Sequence, residues 1–254
     1  MYRRHFFLFA GISLALAIPV AVLSGGYAAF AGGVLQQAAG GGPSNPDTFE
    51  AAIFSLAAGV LLTLVFVPFT YSAVVFAACE SAIGRPVTAG GMVSAVLRKY
   101  FRLLGYWLLI GLMFSVGICL FPLWIWIGVG WTVVIPAMFV ENIGLGASMS
   151  RSWRLVEGRW WRTFFILFLM ALVFYATRIA LTAFTNTAEQ LLNLVVSNYL
   201  ILTVGSAADT LVSALVNPVF QIAVVLIYFD LRVRREALDL FQLAQRLPAP
   251  VPVP

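Results

Sequence analysis

The sequence predicts an all-α fold: a polytopic membrane protein of six transmembrane helices, arranged as three repeated helical hairpins, with interfacial amphipathic helices. Three observations predict it. Hydrophobic residues fill 62% of the 254 positions and charged residues 10%, against about 25% charged in an average soluble domain. Six apolar segments recur along the chain, at residues 6–30, 51–78, 103–120, 123–140, 163–184 and 206–229. Each is near or above the ~17–20 residues that cross a hydrocarbon core. The loops between them are alternately rich in arginine and almost free of it. In lipid every backbone N–H and C=O must bond within its own segment, so each segment is helical.

The first segment follows Arg3 and Arg4 and ends near Ala29-Phe30-Ala31, a layout that resembles a signal peptide. Its apolar run is longer than the ~7–15 residues of a signal core, and it is read as an uncleaved first span. Arg85, Arg98, Lys99 and Arg102 lie between the second and third segments. Arg151, Arg154, Arg159 and Arg162 lie between the fourth and fifth, and Arg232, Arg234, Arg235 and Arg246 follow the sixth. One side thus holds fourteen of the fifteen basic residues and six of the ten acids, a net +8. The other holds Arg178 and four acids, Asp47, Glu50, Glu189 and Asp209, a net −3. The positive-inside rule puts both termini in the cytoplasm of a multi-pass protein, expected in the bacterial cytoplasmic membrane. The pI near 9.6 is a topology signal, and no nucleic-acid partner is inferred from it.

Residues 188–204 look apolar enough for a seventh span, which would put Arg232, Arg234 and Arg235 outside. Glu189, Asn193 and Ser197 recur every four residues, so the stretch is read as an amphipathic helix on the outer surface. After the sixth segment, Asp230/Arg234, Arg232/Glu236 and Arg235/Asp239 are opposite charges four apart, each worth about 0.2–0.5 kcal/mol to a helix. They carry the sixth helix on toward Pro248. Residues 1–247 are read as one six-helix domain and 248–254 as a proline-rich flexible tail.

The odd-numbered spans begin alike, at Tyr2-Arg3-Arg4-His5-Phe6, Tyr100-Phe101-Arg102-Leu103-Leu104 and Trp160-Trp161-Arg162-Thr163-Phe164. In each, an aromatic ring precedes an arginine by two positions, an anchor that sets the ring at headgroup depth and the guanidinium on phosphate. Each even-numbered span carries a proline in its second half (Pro68, Pro136, Pro218) and ends on an acid (Glu80, Glu141, Asp230). This is the pattern of a repeated hairpin, and repeats of this kind often build transporters.

Ser152-Trp153-Arg154-Leu155-Val156 with Gly158-Arg159-Trp160-Trp161-Arg162, and Tyr228-Phe229-Asp230-Leu231-Arg232-Val233-Arg234-Arg235-Glu236 with Leu238-Asp239-Leu240, carry a resemblance. With the Tyr2–Phe6 anchor, they resemble the bacterial family named after the membrane domain of glycerophosphoryl diester phosphodiesterase. Members of that family usually have a further amphipathic stretch before the tyrosine-arginine-arginine start. The resemblance implies a stand-alone membrane domain and transfers no activity. The phosphodiesterase itself needs a soluble barrel with paired histidines and metal-binding carboxylates, and this chain has one histidine, His5.

No catalytic, cofactor-binding or metal-binding constellation is legible. Cys79 and Cys119 fit no metal spacing and are read as small apolar residues. The costly residues are polar ones within spans. Arg178 and Asp209 stand at similar outer depth and are expected to pair, since an unpaired charge in lipid costs at least ~2.5–3.5 kcal/mol on insertion scales. Asp209, Ser213, Asn217 and Gln221 recur every four residues and are expected to form a polar intramembrane face. Arg98, Lys99, Arg102, Arg154, Arg159, Trp160, Trp161 and Arg162 are expected to meet anionic lipid headgroups at the inner face. Two functions follow. One is a non-enzymatic scaffold or accessory subunit of a membrane complex, with a membrane protein partner. The alternative is a transporter or lipid-handling protein with a polar cavity lined by the sixth helix. A membrane-embedded enzyme needs clustered nucleophiles or metal ligands, and the candidates here are scattered over both ends of the membrane.

Overall fold

The computed structural model describes residues 2–40, 46–116, 121–192 and 198–236. Regular structure among them is entirely helical: α1 (Tyr2–Gly40), α2 (Pro46–Ile83), α3 (Ala89–Val116), α4 (Phe121–Gly130), α5 (Val134–Val140), α6 (Leu145–Val156), α7 (Trp160–Leu192) and α8 (Asn198–Glu236). Five stretches are long and apolar enough to cross a membrane: Ser13–Val34, Glu50–Ile83, Pro122–Val140, Trp160–Leu191 and Val204–Glu236. The chain is a helical membrane protein. The third expected span, α3, falls outside these five. It carries Arg98, Lys99 and Arg102, and its uncharged described part, residues 103–116, rises only about 21 Å against a ~30 Å hydrocarbon core. Cys79 is free and buried; Cys119, Asp239 and the tail 248–254 lie outside the described residues.

The expected fourth span, Pro122–Val140, is broken. α4 ends at Gly130 and α5 begins at Val134. Pro136 has no N–H for the carbonyl four residues back, Thr132, and its ring crowds that carbonyl, so the helix gives way there. The freed groups find side chains. Ser152 of α6 donates to the Gly130 carbonyl at 2.7 Å and accepts from the Val133 N–H at 3.3 Å. Tyr106 of α3 donates to the Trp131 carbonyl at 3.1 Å. Gly130 is a glycine because the Trp153 ring occupies the space a Cβ would need. Pro68 and Pro218 lie inside unbroken helices.

Two other helix ends, the end of α2 and the start of α3, are closed by capping. α2 stops at Gly84, whose φ of 82° is open to glycine; Arg85 N–H returns to the Glu80 carbonyl at 2.9 Å and Gly84 N–H to Ser81 at 3.2 Å, a Schellman closure. Thr88 caps α3 by accepting from Gly91 N–H at 3.3 Å. Within the spans, threonine hydroxyls turn back on their own helix, Thr70 to Phe66 and Thr177 to Val173, which satisfies them in lipid.

The expected surface helix over 188–204 is not a separate element. α7 contains no glycine or proline, so nothing stops it before Leu192, and Asn198 already belongs to α8. Asn193 and Ser197 lie outside the described residues. The amphipathic helix beside the spans is instead α6, with Ser148, Ser152, Leu155 and Val156 turned inward.

Neighbouring spans run antiparallel. Between α1 and α2, Phe30 meets Phe54 edge-on and Tyr27 covers Gly59. Between α3 and α4–α5, Lys99 reaches Met138, Tyr106 reaches Trp131, and Met113 and Trp124 line one gap of about 100 Å³. Between α7 and α8, Arg162 meets Asp230, Phe174 meets Phe220, and Glu189 lies against Gly205. α8 is the centre, packed on α1, α2, α5, α6 and α7. Its closest companion is α1, which presents Ser13, Ala17, Ala21 and Gly25, all buried, at steps of four. Such small-residue ridges let membrane helices approach closely, where lipid tails remove the hydrophobic drive between helices.

Packing density is uneven along the bundle. The buried side chains cluster at the end holding the α2 and α8 C-termini: Val75, Cys79, Leu103, Met138 and Val225 in one group, Val133, Leu155, Val156, Tyr228 and Leu231 in a second. Toward the other end α7 buries no described residue after Thr163, and the described part of α8 before Pro218 buries only Gly205.

Candidate functional site

Arg178 and Asp209 form an ion pair of 3.5 Å between α7 and α8. Arg178 also donates to the Ser213 hydroxyl, which in turn donates to the Asp209 carbonyl at 2.7 Å. The pair is only partly sheltered, with side-chain exposures of 26% and 43%.

The four polar residues of α8 divide between two neighbours rather than sharing one. Each step of four residues turns about 40° around a helix, so three steps carry Gln221 about 120° away from Asp209. Asp209 faces α7. Ser213, Asn217 and Gln221 line a cavity of about 180 Å³ against Ser13 of α1 and Thr70 of α2. Ser213 belongs to both and puts the Arg178 guanidinium at the cavity rim. Ser13 Oγ and Gln221 Oε1 are buried without a hydrogen-bond partner among the described residues. Pro218 and Ala214 line the same cavity, and Pro218 leaves the Ala214 carbonyl without its helical donor. Unpaired buried polar atoms of this kind cost ~1–3 kcal/mol each unless water or a ligand meets them, and the cavity is large enough to hold water. Nearby, Ser24 and Thr210 hydroxyls join α1 to α8 at 3.0 Å.

The end rich in arginine is locked by a closed ring of side chains. Tyr228 donates to Glu141 at 2.9 Å. Arg151 places its Nε 2.9 Å from both Glu141 oxygens and donates an Nη2 proton to Glu236. Glu236 pairs with Arg232 at 2.9 Å, and Arg232 returns to the Tyr228 hydroxyl at 3.3 Å. The ring ties the end of α5, the middle of α6 and the end of α8. Outside it, Arg235 reaches Glu157 of α6 at 3.6 Å, and Asp230 holds Arg234 at 2.7 Å and Arg162 at 3.4 Å.

The eight residues expected at anionic headgroups take different roles. Lys99 is turned inward: its ammonium donates to the Met138 carbonyl at 2.6 Å and lies 5.2 Å from the Phe139 ring centre, capping the negative end of α5. Burial, and secondarily the Arg102 charge, lower its pKa below the usual lysine value. Trp160 donates to the Trp126 carbonyl at 3.2 Å and stacks on Phe164. Arg159 Nη2 lies 3.5 Å from the Arg234 carbonyl, while its Nη1 is buried without a partner among the described residues. Arg98, Arg102, Arg154, Trp161 and Arg162 are exposed. Among the described residues, Arg98 bonds only within its own helix, to Ser94.

The bridge made by Ser152, the ring through Glu141 and Arg151, and the small-residue ridge of α1 lie outside the sequence-derived set. Only the ridge had a readable signal, its period of four. A comparison with known protein families, curated proteins and solved structures finds no match to the chain.

Proposed function

We propose that the protein is a non-enzymatic membrane protein that moves or holds a small polar solute or lipid headgroup through the cavity between α1, α2 and α8. The observation that carries this is the cavity itself, walled by Ser213, Asn217 and Gln221 and containing polar atoms with no partner. A scaffold needs no such feature, because packing it with apolar side chains would be more stable. The looser packing of the half toward Asp209 supports access from that side. The charge division supports six spans as three repeated hairpins, with α3 added to the five as the third span and both termini cytoplasmic. Kinship with the phosphodiesterase membrane-domain family is proposed on the sequence motifs alone; within this chain, Tyr228, Arg232 and Glu236 of those motifs belong to the closed ring, and Ser152 bridges the broken span.

The test is thiol accessibility. With Cys79 and Cys119 replaced, Asn217→Cys should react with a membrane-impermeant maleimide added outside, and Val224→Cys, in the packed core, should not. Protection of Asn217→Cys equal to that of Val224→Cys would overturn the reading. The competing reading, a scaffold or accessory subunit, is favoured by the rigid ring at the arginine-rich end. A stoichiometric partner retained through purification from native membrane would support it. Reporter fusions after Gly42 and Glu189 should read as external, and those after Gly90 and Leu247 as internal; an external C-terminus would refute the topology.

A further inference from the structure

We propose that the cleft between α7 and α8 is a binding site for one anionic phospholipid of the inner leaflet, its phosphate at Arg162 and one acyl chain laid along Met170 and Ala223. This site is separate from the α1–α2–α8 cavity and stands whether or not that cavity carries anything.

Two spaces separate the helices, of about 280 Å³ and 390 Å³. Both are walled by Met170 and Ala223, so they adjoin end to end along one α7–α8 groove. Its lower end is polar, with Arg162, Thr163 and Asp230; its upper part, past Val173 and Val216, is almost wholly apolar. That division matches a phospholipid, with a headgroup at one end and hydrocarbon at the other. The lengths agree. From Arg162 to Val173 α7 rises about 16 Å, close to one leaflet of a ~30 Å core.

The charge agrees as well. Arg162 and Arg234 share a single carboxylate, Asp230. Arg159 stands one turn before Thr163 and holds a buried guanidinium N–H with no partner among the described residues. Two guanidinium groups on one carboxylate leave an excess of about one positive charge beside the groove, with Arg159 next to it at the Arg234 carbonyl. The Arg162–Asp230 distance of 3.4 Å leaves most of the Arg162 donors free, and guanidinium pairs with phosphate in a planar fork. Trp161, exposed beside Arg162, is the ring type that settles at headgroup depth.

Native mass spectrometry of the full chain in detergent tests this, with phosphatidylglycerol and phosphatidylcholine of identical acyl chains titrated separately. Wild type should retain one phosphatidylglycerol at least tenfold more tightly than phosphatidylcholine. Arg162→Gln should erase that preference, and Arg85→Gln, an exposed arginine just beyond α2, should leave it intact. Ala223→Trp fills the groove and should weaken both lipids at least tenfold. Leu226→Trp blocks the groove from an exposed position that does not disturb folding, and should do the same. Unchanged lipid retention in Leu226→Trp would overturn the proposal, as would an unchanged preference in Arg162→Gln. A dimer lost in Ala223→Trp, with lipid retention unaltered, would assign the groove to a second copy and also overturn it.

Discussion

Replacing Arg151 by methionine tests the closed ring most directly. Arg151 holds Glu141 through its Nε, 2.9 Å from both carboxylate oxygens, and also serves Glu236. Side-chain exposures near the pair are 20% and 18%. Without Arg151, Glu236 keeps Arg232 at 2.9 Å, so its loss is small. Glu141 keeps only the Tyr228 hydroxyl and becomes a sheltered charge without a cation. Breaking a fully buried pair from one side costs ~3–5 kcal/mol, and an exposed pair contributes ~0–1 kcal/mol. With about a fifth of the surface exposed, Arg151→Met should cost about 2–3 kcal/mol. Glu141→Gln in the same chain removes the orphaned charge while its amide oxygen still accepts from Tyr228, and should restore about half of that loss. Unfolding of the purified protein in detergent, followed by tryptophan fluorescence, reads both. Equal destabilisation by the two changes adding in the double variant would refute the ring, as would a loss below ~0.5 kcal/mol for Arg151→Met.

Three further outcomes are expected. Ser152→Ala should cost about 1–3 kcal/mol, because the Gly130 carbonyl and Val133 N–H lose their shared partner in a buried place; Ser152→Thr, which keeps the hydroxyl, should recover part of it in the same unfolding assay. A double-mutant cycle on Arg178→Leu and Asp209→Leu should give a coupling of about 0.5–1.5 kcal/mol, modest because Asp209 is 43% exposed, and strict additivity would remove the pair. Lys99 has a folded pKa below its unfolded one, so its charged form opposes folding at neutral pH and this opposition fades as pH rises through the folded pKa toward the ordinary lysine range. Stability should therefore climb over that interval, and Lys99→Met should abolish the climb.

The apolar segments made the helical membrane class legible, because hydropathy acts locally; the boundaries were not, since the helices run past the expected segments, α1 to Gly40 and α8 from Asn198. The Arg178–Asp209 contact was legible for a similar reason: two costly charges at equal helical depth on adjacent spans have few other solutions. The polar stripe of α8 was legible as a slowly turning face: its drift of about 40° per step carries it from α7 at Asp209 to the cavity against α1 and α2 at Ser213, Asn217 and Gln221. Pro136 was visible, but Pro68 and Pro218 leave their helices whole, so the break at Trp131–Val133 depends on which tertiary partners stand ready. Of the ring, only the Arg232–Glu236 side could be read, from its spacing of four. Glu141, Arg151 and Tyr228 are ordinary residues until the fold brings positions 87 apart within 2.9 Å.

The bridged break in the fourth span also bears on how the chain is made. Gly130 and Val133 emerge from the ribosome before the serine that satisfies them, which lies 22 residues beyond Gly130. Until α6 is synthesised and packed against it, the broken span carries bare backbone groups that hydrocarbon penalises by several kcal/mol each. The nascent segment is therefore better held beside the insertion machinery than released into lipid. We expect that a chain arrested just short of Ser152 crosslinks to that machinery through α4, and that extending it past Arg162 frees the span. In that sense α6 works as a release signal for the helix it seals.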